Sequence, residues 1–400
     1  MDSPLAGIRV LDLTRYLSGP YGTLLLAEMG AEVIKVEVPQ VGDDTRHIAP
    51  LQNGISYYHS TVNRSKASVE IDLKTEDGRA LLLSLAADCD VMIENFRPGV
   101  ADRLGIGYEV AAKVNPKLVY CSISGFGGSG PQSRRAAFDL IVQGEAGIMS
   151  LNGESDRPPS KLGVPVADLS SGMFAIHGIL AALLRRERTG KGGRVEVSMM
   201  SSLLSLAVYN AGLYFMTGKA PMRNGSRHPG VVPYGPFATK DSFVLLSTFS
   251  DGSWKKIVDA FGRSDLADDP RFSTAPSRVK HREECEALIS EMFLQFTSEE
   301  AVERLGVAGV PCGVVRDIGQ ALEAERANDS GLLVDIDYPD GGGTIPGVRI
   351  PIKFDGEWCP ARAAPELGSD NQLLERYRNK HDATPAEADW RENAVIAATS

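Results

Sequence analysis

Ile8-Arg9-Val10-Leu11-Asp12-Leu13 is followed by Gly19-Pro20, by the apolar run Tyr21 to Met29, by Gly30, and by Glu32-Val33-Ile34-Lys35-Val36-Glu37. The first segment reads as a buried strand broken at Gly19 and Pro20. The second reads as a helix closed by Gly30, and the third as a strand parallel to the first. The βαβ pattern then recurs outward. Ala67 to Leu73 is strand-like, Glu76 to Ala87 helical, Val91 to Glu94 a strand, Val110 to Asn115 helical and Leu118 to Ser124 a strand. Short apolar strands alternating with helices predict an α/β, Rossmann-like large domain with a mainly parallel sheet.

After Gly218 the texture changes. Pro221, Gly225, Pro229, Gly230, Pro233, Gly235 and Pro236 crowd a connector. Beyond it Phe243 to Thr248 reads as a strand, with Trp254 to Phe261 and Arg282 to Phe296 as helices. The expected division is 1–222 with 330–400 as the large domain and 223–329 as a smaller α+β domain. Leu332 to Tyr338 and Val348 to Ile352 resume strand character and return to the first domain, and the final twenty residues read as a loosely held tail. Val197 to Gly218 carries no charge and is long enough to span a bilayer, but its serines, Asn210 and Thr217 favour a helix buried in a domain or subunit interface.

Four hundred residues with 43% hydrophobic and 24% charged content fit a two-domain globular enzyme, and a net charge of −10 argues against a nucleic-acid binder. Five scattered cysteines without a C-x-x-C pair fit reduced thiols in a cytoplasm. The N-terminus, Met1-Asp2-Ser3-Pro4, lacks the basic flank and apolar run of a signal peptide. No spacing of His, Cys or acidic residues suggests a metal.

Gly125-Phe126-Gly127-Gly128-Ser129-Gly130 matches G-x-G-x-x-G after a strand. Pro131 follows at once, however, and no strand ending in an acid comes at the required distance, which counts against a nicotinamide site. Nucleophilic serine motifs and a P-loop are absent. His177 reads as a core residue of an apolar helix. Cations gather at the expected strand ends: Lys74, Arg97, Arg103, Arg134 and Arg135. In open α/β sheets ligands bind there, and Phe96 could stack on a base, although ordinary surface charge explains any one of these cations as well.

Asp168 stands alone where Gly163 to Ala167, a strand-like run, meets Ser170-Ser171-Gly172 and the apolar segment Met173 to Leu184. On the first turn of a helix it would be held ionised by free N–H groups and the dipole. Such a carboxylate is either a helix N-cap or an accessible nucleophile.

Together these segments resemble the class III coenzyme A transferase family. The likeness runs through Leu5 to Tyr21, Met29 to Glu37, Gly42 to Arg46, Asn63 to Lys66, Asp90 to Gly99, Gly163 to Gly172 and Arg188 to Gly192. The resemblance implies a catalytic aspartate at Asp168. It also implies an interlocked homodimer, and coenzyme A or acyl-CoA as substrate rather than a permanent cofactor. The implied coenzyme A contacts are Tyr16, Leu17, Ile71, Asp72, Leu73, Lys74, Asn95, Phe96, Arg97, Arg103, Arg135, Ala136, Ala137 and Phe138. Related 2-methylacyl-CoA racemases have a histidine at the position of Phe138, which cannot take a proton, so transfer is favoured. A non-catalytic acyl-CoA-binding dimer is a third reading. Leu17 and the His228 to Phe237 stretch look similar to those of members that use succinate, glutarate or related dicarboxylates. For the distal carboxylate, Arg15 and Arg46 are clamp candidates, and Asp139 is a further polar group at the site.

Overall fold

The computed structural model describes residues 3–248, 250–337 and 343–382. The described residues form two compact units, one within 3–148, 161–219 and 329–382, the other within 149–160 and 220–328. The first unit is built on six parallel strands. These are β1 (Arg9–Asp12), β2 (Glu32–Glu37), β3 (Ala67–Glu70), β4 (Val91–Glu94), β5 (Val119–Ser124) and β6 (Gly193–Ser198), in the order β3-β2-β1-β4-β5-β6. Val10 lies opposite Val33 on one side and Val91 on the other.

Successive strand residues face opposite sides, and both sides are covered. Val10, Val33, Val91, Ile93, Val119 and Cys121 pack under α1 (Ser18–Glu28) and the long helix that carries Asp168. Leu11, Ile34, Val36, Met92 and Tyr120 pack against α3 (Glu76–Ala87) and α5 (Tyr108–Val114) on the other side. Between these lie α2 (Tyr57–Asn63) and α4 (Val100–Arg103). Then come α6 (Asp139–Glu145), α7 (Val166–Thr189), α8 (Met199–Leu206) and α9 (Val208–Thr217).

α7 buries Ala167, Ser170, Ser171, Ala175, Ile176, Ile179 and Leu183, a helical spacing that presents one stripe to α1 and the sheet. Gly172 makes the crossing close, since a Cβ there would stand 2.5 Å from the Ser18 carbonyl oxygen. The helix is long and apolar enough to cross a membrane, but half of that apolar stretch is buried within the chain.

Several boundaries differ from expectation. α1 begins at Ser18, ahead of the supposed break, because Pro20 sits in the first turn, where its missing N–H costs nothing. The strand from Ala67 ends at Glu70, and Val164 to Ala167 is not a strand. β6 was not anticipated. Val197 to Gly218 is no single helix: α8 and α9 meet at a 69° bend, and α9 has no buried residue. His177, expected in the core, is exposed and lies 6.4 Å from the Phe174 ring.

The returning chain forms an antiparallel pair, Leu333–Asp337 with Thr344–Val348, and ends in the helix Gln372–Asp382, whose Leu374 and Tyr377 are buried in the second core. On the way it covers the sheet edge: Ser68 N donates to Asp370 Oδ2 at 2.9 Å and Glu70 N to Asn371 Oδ1 at 2.8 Å. The expected tail falls, from residue 383, outside the described residues.

The second unit has a three-stranded antiparallel sheet (Tyr234–Ala238, Phe243–Ser247, Cys312–Val314). Helices Asp251–Ala260, Arg282–Phe293 and Ser298–Val307 pack on it around Trp254, Phe272 and Phe293. The buried Arg278 guanidinium reaches the carbonyls of Val232 and Phe272, at 2.9 and 2.7 Å, and so pins the His228 to Phe237 stretch.

Candidate active site

Strand order reverses between β1 and β4, which opens a crevice beyond their carboxyl ends. There Asn95 grips the main chain of Arg15 at two points: its Oδ1 accepts from Arg15 N and its Nδ2 donates to Arg15 O, both at 2.8 Å. The next residue, Tyr16, has φ +65°, a left-handed conformation that a tyrosine adopts only when its surroundings impose it. The Asn95 side chain, expected to meet coenzyme A, therefore shapes the turn.

Charged groups buried below hold that turn. Lys35 Nζ donates to Thr14 O at 2.8 Å and pairs with Asp43 at 2.9 Å. Lys66 Nζ pairs with Asp12 at 3.1 Å, and Asp12 also accepts from Thr14 N and Thr23 Oγ1, at 2.9 and 2.6 Å. Both members of each pair are about as buried as side chains become. Against the cost of burial, Lys66 and Lys35 hold the Asp12 carboxyl below its usual range.

Asp168 lies in the first turn of α7 and has no ion-pair partner among the described residues. Its carboxyl is pushed up to about 7, first by burial and then by Asp139, which outweighs the help expected from the helix end. Asp139 accepts from Ala167 N at 2.8 Å through Oδ1 and from Gln143 Nε2 at 2.6 Å through Oδ2. Both of its oxygens face protein donors, so the Asp139 carboxylate is built into the wall. Phe138, two-thirds exposed, meets the Tyr16 ring edge-on at 6.4 Å. Gly125 admits this segment, because a Cβ there would fall 2.1 Å from that of Ala137.

The remaining expected contacts divide by environment. Ile71 is buried, with its N–H donated to Glu37 O at 3.0 Å, and Leu73 packs on the core. Asp72 and Lys74 stand exposed in the loop after β3, and Arg97 and Arg103 are exposed beyond β4. Ala136 is exposed, and Leu17 lies half-buried just ahead of α1. Arg135 lies over the Phe126 ring at 4.6 Å and forms a two-point pair with Glu145, one bond at 2.8 Å, so its charge is already matched.

Arg46 is a correction. Its guanidinium embraces the buried Glu37 through Nε at 2.8 Å and Nη2 at 2.6 Å, and its Nη1 donates to Pro365 O at 3.2 Å. Burial opposes the Glu37 charge, but Arg46 holds that carboxyl down at about 2. A guanidinium so engaged closes the fold and has no fork to offer a substrate. Arg15 is only half-buried and pairs with Asp44, while its Nε is buried without a partner.

A cavity of about 460 Å³ opens at the ends of β4, β5 and β6, bounded by Phe96, Arg97, Glu94, Tyr120, Gly128 and Arg194. Burial lifts the Glu94 carboxyl to about 7. Among the described residues no group of three or more His, Cys, Asp or Glu could hold a metal ion. Sequence reading missed Tyr58, whose phenol is raised first by burial and next by the charge of Asp168, and it missed Gln143. A lone tyrosine or glutamine in a short helix carries no spacing signal.

The sequence pattern of CoA-transferase family III matches residues 5–371. A succinate–glutarate CoA-transferase of Agrobacterium fabrum is 39% identical, covering 96% of this chain and 98% of that protein. An acetyl-CoA:oxalate CoA-transferase of Acetobacter aceti is 38% identical over 93% of this chain and 95% of its own length. In the crystal structure of a CAIB/BAIF family protein from Brucella suis, 36% identical, the fold matches with a TM-score of 0.86 over 94% of this chain and 99% of that one.

Proposed function

The chain belongs to CoA-transferase family III, and from that premise we propose that it exchanges coenzyme A between an acyl-CoA and a dicarboxylic acid through covalent chemistry on Asp168. The observation that carries this reading is a carboxylate with no ion-pair partner among the described residues, on the first turn of α7 and near Asp139, whose neighbour Phe138 meets the Tyr16 ring. A nucleophile needs such an approach free of a competing cation.

The ionised Asp168 Oδ attacks the thioester carbonyl. A carbon–oxygen bond forms, the carbon–sulfur bond breaks, and coenzyme A leaves as thiolate, giving an acyl-aspartyl anhydride. The thiolate then attacks the Asp168 carbonyl, which releases the donor acid as carboxylate and leaves an aspartyl-CoA thioester. The acceptor acid repeats the two steps in reverse order. One thioester replaces another, so the exchange needs no ATP. Free N–H groups of the glycine-rich loop after β5 are candidates to receive the oxyanions. The Gly127 N–H is not one of them, because it donates to Ser124 Oγ at 3.1 Å.

In this reading coenzyme A lies across the strand ends at 16–17, 71–74, 95–97, 103 and 135–138. Ile71 and Asn95 serve through the backbone they hold, and Arg97 and Arg103 serve as free cations. Replacing either arginine with Ala should weaken coenzyme A binding by about 1.5–3 kcal/mol, the range for a charged hydrogen bond. Calorimetric titration that shows both variants unchanged would return these arginines to ordinary surface. Arg135→Ala should cost less, since Glu145 already neutralises that charge.

The free acids in the relatives' names (succinate, glutarate, oxalate) are dicarboxylic, and Arg15, only half-buried, would exchange its partner Asp44 for a second carboxylate. The uncharged α8 and α9, with Val208, Tyr209, Phe215 and Met216 largely exposed, supply a surface for a second copy of this chain. A cytoplasmic location goes with the five free thiols. The test is a panel of acyl-CoA donors crossed with mono- and dicarboxylate acceptors, with mass spectrometry of the Asp168 peptide after donor alone. The reading expects an adduct there and dicarboxylates turned over faster. Deuterium uptake at the α-carbon of a 2-methylacyl-CoA without coenzyme A exchange would favour a racemase instead.

A further inference from the structure

Gln143 is fully buried on α6, one turn beyond Asp139, a spacing that brings their side chains together. Its Nε2 donates to Asp139 Oδ2 at 2.6 Å, and its Oε1 accepts from Leu162 N at 2.9 Å. Asp139 Oδ1 in turn accepts from Ala167 N at 2.8 Å. Two bonds on the Asp139 carboxylate and a third on Gln143 thus link α6, the segment leading into α7 and the first turn of α7. Acceptor use of both carboxylate oxygens is the pattern of the charged form.

We propose that Gln143 and Asp139 are positioning residues for the transfer, which fix one negative charge against the Ala167 backbone so that acylation of the adjacent Asp168 removes a like-charge repulsion. This rests on the reading of Asp168 as the nucleophile. Two carboxylates at one place resist double ionisation, and a carboxylate hard to keep charged is a stronger base and nucleophile. Attack converts the Asp168 charge into a neutral anhydride while the charge departs with the coenzyme A thiolate. Gln143 prevents the alternative release, in which Asp139 swings away.

Other groups around Asp168 leave Asp139 as the charge that matters. α2 brings the Tyr58 phenol. α1 brings the Tyr21 ring, near Gly172, and Glu28, which is spent on Arg64. On α6, Glu145 is paired with Arg135, and on β6, Arg194 is paired with Glu196. α8 has no charged residue.

The experiment is the pH profile of kcat/KM for succinyl-CoA, from pH 5 to 9, in wild type, Gln143→Met and Asp139→Asn, with intact-mass detection of the adduct at pH 8. Wild type should show an acid limb near pH 7, where Asp168 becomes ionised. In both variants the limb should move to lower pH, and kcat on the plateau should fall about tenfold while KM stays within about threefold. Asp139→Asn keeps an oxygen for the Ala167 N–H and removes the charge, at the loss of the bond from Gln143 Nε2, since the asparagine Nδ2 is itself a donor; its pH limb decides the matter if Gln143→Met fails to fold. Limbs that coincide with wild type, or move upward, would overturn the proposal and leave a merely structural bond set. Absence of any wild-type adduct on Asp168 would instead sink the nucleophile reading on which it rests.

Discussion

Asp168→Ala should bind coenzyme A and fold, yet lose transfer by about three orders of magnitude or more, as the loss of a nucleophile does. Asp168→Asn makes the same point and adds a stability result with a defined sign. The folded-state value of about 7 lies above the ordinary aspartate value of about 3.9, so between these values the folded chain holds a proton that the unfolded chain has released. Stability must then fall as pH rises through that window, and above it a charged, crowded Asp168 costs the fold on the order of 2–4 kcal/mol. Asp168→Asn should therefore melt higher than wild type at pH 8 and level with it near pH 4. Thermal melts at the two pH values decide the case. A variant less stable than wild type at pH 8 would mean that Asp168 serves the helix as a cap.

That result bears on what the sequence could disclose. Asp168 was legible because its neighbours are small or apolar, and the βαβ pattern was legible because Val10, Leu11, Val33 and Ile34 supply both faces of a parallel sheet. β6 escaped because Arg194 and Glu196 alternate with its valines on an edge strand, so the residues from 193 to 198 look like a charged connector. Arg46 was misassigned because spacing cannot show that Glu37, nine residues earlier on β2, comes round to meet it. Gln143 was silent for the same reason, as its partner Leu162 N lies 19 residues on. What local pattern reveals is burial. What it hides is which buried polar group answers which.

The buried charges beneath the Thr14–Tyr16 turn are the largest instance, and they yield a graded prediction. Asp12 and Lys66 are both wholly buried. Removing one partner of such a pair leaves the other uncompensated, at a cost of about 3–5 kcal/mol. The two ends are not equivalent. Without Lys66, Asp12 keeps the N–H and hydroxyl of Thr14, the Thr23 hydroxyl and the charge of Lys35. Without Asp12, the Lys66 ammonium keeps the Pro20 carbonyl and the Asn63 side-chain oxygen, with Lys35 repelling it more than the charge of Asp43 attracts it. Asp12→Ala should therefore fall in the full range and Lys66→Met well below it, as urea unfolding followed by circular dichroism would measure. The pair of changes together should cost less than Asp12→Ala alone, because no orphan charge then remains. Equal losses for the two single variants would show that charge balance does not govern this layer. A double variant as unstable as the sum would show the same. Because Asp12 also holds Thr14, the Asp12→Ala chain that stays folded in the cold should bind coenzyme A more weakly, while Lys66→Met should leave that affinity near wild type.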